Sequence, residues 1–289
     1  MNIAKNSFMR CETSLAKSLA EVSFDDIPNA NKKSVSELKQ HSQYAYLAKD
    51  CAKNEGVEFA HDYERLKTFE NSATGFSGTV YRNINNDEIV VSYRCTANQL
   101  GVKSDIQMVE NELPEQFFDA IWLYNKIKEE YPNSKITLTG HSLGASLAQL
   151  VASSDSTTQA VTFEGFGTEK LIKTHNLCDY KNTINYTTSD SVVSSFSRHP
   201  GETRTIYAHK ILENQDKLLA PKSAPIVKEK HSIDNFTDLE NAEFSIEFFE
   251  EQKRASREDG VIPFAYLALK ANPNLKEELP KVFFKEDAC

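Results

Sequence analysis

Hydrophobic positions along this chain fall into two periods. Between residues 78 and 208, short apolar runs rich in β-branched and aromatic residues recur: Gly78-Thr79-Val80-Tyr81-Arg82, Glu88–Arg94, Lys135-Ile136-Thr137-Leu138-Thr139, Gln159–Glu164, Thr183–Thr188 and Arg204–Ala208. Each has the length of a strand and ends at turn-forming residues. Among them stand segments with apolar residues at helical spacing. Ser36–Asn54 carries Leu38, Tyr44, Leu47, Ala48 and Cys51 in one stripe, and Ala145–Ala152 is rich in alanine and leucine. Pro114 opens a long helix through about Tyr131, and Pro132-Asn133 ends it. Asn83–Asp87 reads as the turn of an antiparallel hairpin. The strand at 88–94, a helix and the strand at 135–139 form a crossover long enough for a parallel pair. Strands alternating with helices predict an α/β fold with a mostly parallel central sheet flanked by helices. Residues 1–35 are polar, with one short amphipathic helix around Ser14–Val22. Residues 237–289 are charged and predict a helical C-terminal extension packed on the same domain, with Phe244, Phe248, Phe249, Phe283 and Phe284 as core.

A length of 289 residues suits one α/β domain with an appendage. The formal charge of −9 excludes the basic face that a duplex nucleic-acid binder needs. No apolar run reaches transmembrane length, and Arg10, Glu12, Lys17 and Glu21 interrupt every candidate signal peptide. The five cysteines, Cys11, Cys51, Cys95, Cys178 and Cys289, contain no C-x-x-C pair. Reduced thiols are expected, in a cytoplasmic setting or after export without an N-terminal signal peptide. No His/Asp/Glu spacing suits zinc, and Asn85-Asn86-Asp87-Glu88 lacks the length and glycine of an EF-hand loop. Neither metal nor cofactor is expected.

The chemistry concentrates at Gly140-His141-Ser142-Leu143-Gly144, between the strand at 135–139 and the helix that follows. Strand, G-x-S-x-G and helix together lift a serine hydroxyl above the sheet on a sharp turn, and side chains at 140 or 144 would make strand and helix collide. Ser142 is therefore the candidate nucleophile. The N–H of Leu143, at the helix start, is free to stabilise an oxyanion. An alkyl hydroxyl needs a histidine base and an acid behind it, in the chain order serine, acid, histidine. Asp190, just past the strand 183–188, fits the acid; Asp179 lies at the wrong edge and Asp216 in a polar segment. Of the downstream histidines, His175 precedes that acid and His199 sits in a turn close behind it. His209 ends a strand, and His231 stands in a loop anchored by Ile233 and Phe236, leaving these two as rivals with His231 preferred.

Across about residues 36–236 the chain resembles the class 3 lipases, α/β hydrolases that include the fungal triacylglycerol lipases. The resemblance rests on the Ser36–Asn54 helix, Ile89-Val90-Val91-Ser92-Tyr93-Arg94-Cys95-Thr96, Ile136–Gly144, Val161-Thr162-Phe163, Asp190-Ser191-Val192-Val193 and His231-Ser232-Ile233-Asp234-Asn235-Phe236. It implies an α/β-hydrolase fold and a triad of Ser142, Asp190 and His231. By the same resemblance, Thr96 joins Leu143 as the second oxyanion-hole residue. Cys95 departs from the family's usual glycine and is expected to be an inert, small hydrophobe. The resemblance also implies a lid at 97–113, where Leu100, Val102, Ile106, Met108 and Val109 alternate with charges and suit transient contact with a membrane surface. An ordinary surface helix accounts for that pattern equally.

These readings converge on a serine hydrolase acting on lipid or small esters, of lipase or phospholipase type. Two alternatives keep the same residues: a lipase-like protein that binds rather than cleaves, and an acyltransferase or thioesterase using the same triad.

Overall fold

The computed structural model describes residues 35–53, 59–97, 99–178, 182–188, 191, 193–194, 197–206 and 231–242. The chain divides into residues 1–37 and 38–289. The first unit contributes only the opening turn of helix α1 to the described structure. The second unit contains a seven-stranded sheet with its strands in chain order. These are β1 (Tyr63–Asn71), β2 (Phe76–Asn83), β3 (Ile89–Tyr93), β4 (Ile136–His141), β5 (Gln159–Phe163), β6 (Thr183–Thr188) and β7 (Glu202–Ile206). The pairs β1–β2 and β2–β3 are antiparallel, and every later pair is parallel. The helices are α1 (Val35–Lys53), α2 (Gln99–Val109), α3 (Glu115–Glu130), α4 (Leu143–Ala152) and α5 (Glu169–Thr174). Two 3-10 turns, Ile233–Phe236 and Leu239–Asn241, follow. This is a mostly parallel α/β sheet flanked by helices.

Right-handed crossovers between successive parallel strands carry their connecting helices to one face of a sheet. That face holds the first core, where Phe117, Leu123 and Ile127 of α3, Leu147 and Val151 of α4, and Leu171 of α5 meet Val91, Tyr93 and Leu138. The opposite face needs a separate cover. It comes from Leu38, Tyr44, Leu47 and Ala48 of α1, with Ile233, Phe236 and Leu239 of the two 3-10 turns. Beneath them lie Tyr81, Val90, Phe163 and Tyr186. With both faces covered, β3 is buried at all five residues, which explains why four of the five are apolar rather than alternating with polar ones.

The expected strands up to 188, the hairpin at 83–87, the parallel crossover and the long helix after Pro114 are present, and the strand expected at 204–208 is found as Glu202–Ile206, with 207–208 outside the described residues. Strand β1 was not expected. Its Glu64, Arg65, Lys67 and Glu70 put charge along a sheet edge, as edge strands do, and hide the apolar alternation. Within the segment 97–113, Gln99–Val109 form α2, with Met108 and Ser104 buried. The short helix at 14–22 and nearly all of the C-terminal extension lie outside the described residues. Among the described residues no helix is long and apolar enough to cross a membrane.

Candidate active site

The turn from β4 into α4 has almost no room. A Cβ on Gly140 would stand 2.4 Å from the Gly144 carbonyl carbon, and one on Gly144 would stand 2.0 Å from the Tyr93 carbonyl oxygen. Between them Ser142 is held at φ 56° and ψ −124°, a left-handed backbone that a residue other than glycine rarely adopts. Its N–H donates to the Phe163 carbonyl at 3.0 Å, so the strain is carried by the neighbouring strand. Leu143 is the first residue of α4, and its N–H has no acceptor within the helix.

His231 reaches this turn from the other core. Its Nε2 lies 2.8 Å from Ser142 Oγ. His141, the residue before the serine, donates Nε2–H to the His231 carbonyl oxygen at 2.7 Å. The two rings sit 4.8 Å apart. Burial and the neighbouring His231 hold the His141 imidazole well below its ordinary 6.5, against the opposing pull of that hydrogen bond. A neutral His141 thus fastens the loop of His231 to β4. Phe236 packs against Phe163 and Tyr186, Leu239 N–H donates to Ser42 Oγ at 2.9 Å, and Asp234 pairs with Lys49 at 2.8 Å. The imidazole is therefore fixed at several points on α1, β4 and β5.

Behind the imidazole stands Glu164, one residue past β5. Its Oε2 lies 3.5 Å from His231 Nδ1, and the Glu164 side chain is fully buried. Sequence reasoning passed over this carboxylate by considering only aspartates. The available signal was an acid placed directly at the end of the apolar run Val161-Thr162-Phe163.

Thr96 is buried at the end of the β3 segment, and its hydroxyl donates to Asp105 Oδ2 of α2 at 2.8 Å. The other Asp105 oxygen has no hydrogen-bond partner. Burial pushes the Asp105 carboxyl from its ordinary 3.8 up to about 7, although the Thr96 bond opposes the shift. The folded chain therefore keeps a proton that the unfolded chain releases. This contribution to stability is fully present below pH 3.8 and lost as pH rises through about 7. His141 works in the opposite sense: its contribution is present above 6.5 and lost on acidification. Asp105→Asn cannot ionise, so it is expected to gain stability over wild type between about pH 5 and about pH 8. Urea melts of both proteins at the two pH values measure this; equal differences at both would refute it.

Of the expected site residues, the structure brings Ser142, Leu143 and His231 together at one turn. Asp190, with its rivals Asp179 and Asp216, lies outside the described residues, as does His209. His199 lies half-buried elsewhere, accepting from Gln149 Nε2 at 3.1 Å and donating to the Ser194 carbonyl at 3.0 Å. His175 is exposed. Cys95 is disulfide-bonded, which corrects the expectation of an inert thiol there; Cys51 and Cys178 are free. Among the described residues no group of three or more His, Cys, Asp or Glu is placed to hold a metal ion.

Solved structures similar to this chain include a triacylglycerol lipase from Penicillium expansum, at 13% identity and TM-score 0.47, covering 61% of this chain and 81% of that one. The Lip2 lipase of Yarrowia lipolytica is similar at 16% identity and TM-score 0.44, covering 59% and 79%. A triacylglyceride lipase of Rhizomucor miehei matches at 16% identity and TM-score 0.44, covering 60% and 82%. No curated protein matches. One family model spans the sheet from before β1 to just past β7, and with it the serine turn and Glu164. By that match over residues 55–215, more than half of its length, the chain belongs to the Mbeg1-like family.

Proposed function

We propose that this protein is a serine hydrolase that cleaves carboxylic esters of lipids, of lipase or phospholipase A type, through an acyl-enzyme. The observation that carries the proposal is the 2.8 Å approach of His231 Nε2 to Ser142 Oγ on a strained turn at a helix start. His231 takes the Ser142 proton as Oγ attacks the ester carbonyl. The N–H groups of Leu143 and Thr96 hold the oxyanion. His231 then protonates the departing alcohol, and in the second half it activates the water that releases the acid. A carboxylate behind the imidazole steadies its charged form, the role for which the sequence selects Asp190. The apolar positions of the segment 97–113 support transient contact with a lipid surface. The charges among them favour phospholipids or small esters as much as neutral fats.

Wild-type protein offered p-nitrophenyl esters of increasing acyl length, with phospholipid vesicles alongside, is expected to hydrolyse at least one class. A fluorophosphonate is expected to label Ser142, located by peptide mass. A folded protein with no turnover and no label at Ser142 would overturn the proposal.

A further inference from the structure

The acid of a serine triad is sought past a strand end on the same sheet edge as the nucleophile, and two carboxylates of this chain meet that description. One is Asp190, after β6. The other is Glu164, after β5, the strand paired directly with the one that bears Ser142. We infer that Glu164 positions His231 and compensates its charge during the reaction proposed above.

Four observations support this. First, Glu164 is fully buried, and among the described residues the one ion pair it forms is with His231, 3.5 Å from Oε2. A buried carboxylate without lysine or arginine is costly, and an imidazolium formed in the reaction relieves that cost. Second, His231 Nδ1 is buried without a hydrogen-bond partner, while Nε2 faces Ser142. When Nε2 accepts the serine proton, Nδ1 carries its own proton, directed toward Oε2. The separation of 3.5 Å is long for a hydrogen bond and suits one that tightens in the transition state.

Third, the carboxylate is aimed by its surroundings. The Thr188 N–H and the Ser191 hydroxyl both donate to it, one oxygen each. Fourth, its backbone is forced. Glu164 sits at φ 51°, its N–H donates to the Tyr186 carbonyl at 2.9 Å, and the Phe166 N–H donates to Ser146 Oγ at 2.9 Å. A glutamate held left-handed, with its chain clamped on both sides, has one orientation available.

The groups facing the imidazole are His141 from β4, Ser142 from the turn and Glu164 from the end of β5. Asp234, on its own 3-10 turn, is 60% exposed and paired with Lys49 of α1. His199 lies near enough to Glu164 to feel its charge.

The experiment compares Glu164→Gln, Glu164→Asp, Asp190→Asn and Ser142→Ala in the full chain, with p-nitrophenyl butyrate as the probe. Glu164→Gln is expected to lower kcat by at least about 10²-fold with KM little changed. It is also expected to change the acid limb of the kcat/KM profile, because an uncharged amide no longer compensates the imidazolium formed in the reaction. Glu164→Asp restores part of the loss. A Glu164→Gln protein with kcat within about threefold of wild type and an unmoved acid limb, beside a disabled Asp190→Asn, would overturn the inference.

The His231 Nδ1–H resonance, followed by proton NMR in wild type, Glu164→Gln and Glu164→Asp, needs no turnover. It is expected to move upfield in Glu164→Gln and less in Glu164→Asp, because the carboxylate acceptor beside Nδ1 is lost in the first and kept in the second. An unmoved resonance in both refutes the role of Glu164 whether or not the protein is a hydrolase. Absence of turnover and of Ser142 labelling in wild type refutes only the hydrolase proposal. Should Glu164→Gln fail to fold, Glu164→Asp carries both readouts.

Discussion

Ser142→Ala is expected to lower ester turnover by at least about 10³-fold while leaving the fold intact. The size follows from the role proposed for the hydroxyl. If Ser142 forms the acyl-enzyme, the variant forms none, and the remaining rate belongs to water acting with the proposed oxyanion donors. The fold survives because serine and alanine bear the same backbone cost at φ 56°, and the hydroxyl accepts no backbone bond that holds the turn. His231 then loses one partner, but its side chain is 18% exposed and water can replace the lost contact. Steady-state rates with thermal melts check this. Turnover retained by a well-folded Ser142→Ala protein would remove Ser142 from the mechanism.

Gly144→Ala is expected to be the most damaging single methyl addition at the site. Its Cβ would lie 2.0 Å from the Tyr93 carbonyl oxygen, 2.7 Å from the Tyr93 carbonyl carbon and 3.0 Å from the Arg94 carbonyl oxygen. All three are backbone atoms, two at the end of buried β3 and one on the next residue, so no side chain can swing aside. Helix α4 must move away from β3, and the first core opens between Leu147 and Tyr93. The cost is about 3 kcal/mol or more, which for a domain of this size lowers the melting temperature by roughly 6–12 °C. The same movement carries the Leu143 N–H away from the oxyanion, so kcat falls by about 10²-fold even in the molecules that remain folded. A Gly144→Ala protein with wild-type melting temperature would refute this account of the turn.

The amount of this molecule legible in its sequence depends on how local each feature is. The serine turn is legible because a strand, two glycines and a helix specify it within about a dozen residues. Most strands are legible because sheets buried on both faces are written as apolar runs. Strand β1 is not, since an edge strand answers to solvent on one side and carries charge. His231 could be preferred but not separated from His209 by pattern, because its place depends on contacts with Ser42, His141, Phe163 and Tyr186, all distant in the chain. Glu164 and Asp105 share one reason for escaping notice. A buried carboxylate looks in sequence like any other surface acid, and only packing reveals that solvent is excluded from it.

Strands that lie in chain order bear on how the protein is made. Each new parallel strand meets a neighbour already synthesised, so the sheet can grow from one edge as the chain leaves the ribosome. The serine turn can form once β3, β4 and β5 have paired, and His231 follows the last residue of β5, Phe163, by 231 − 163 = 68 residues. At about 5–20 residues per second that interval lasts roughly 3–14 s. Throughout it the nascent chain presents the serine turn without His231. The stretch that delivers His231 also brings Ile233, Phe236 and Leu239 to the sheet's second face, so completing the core and joining the proposed base to the proposed nucleophile are a single late event of biosynthesis.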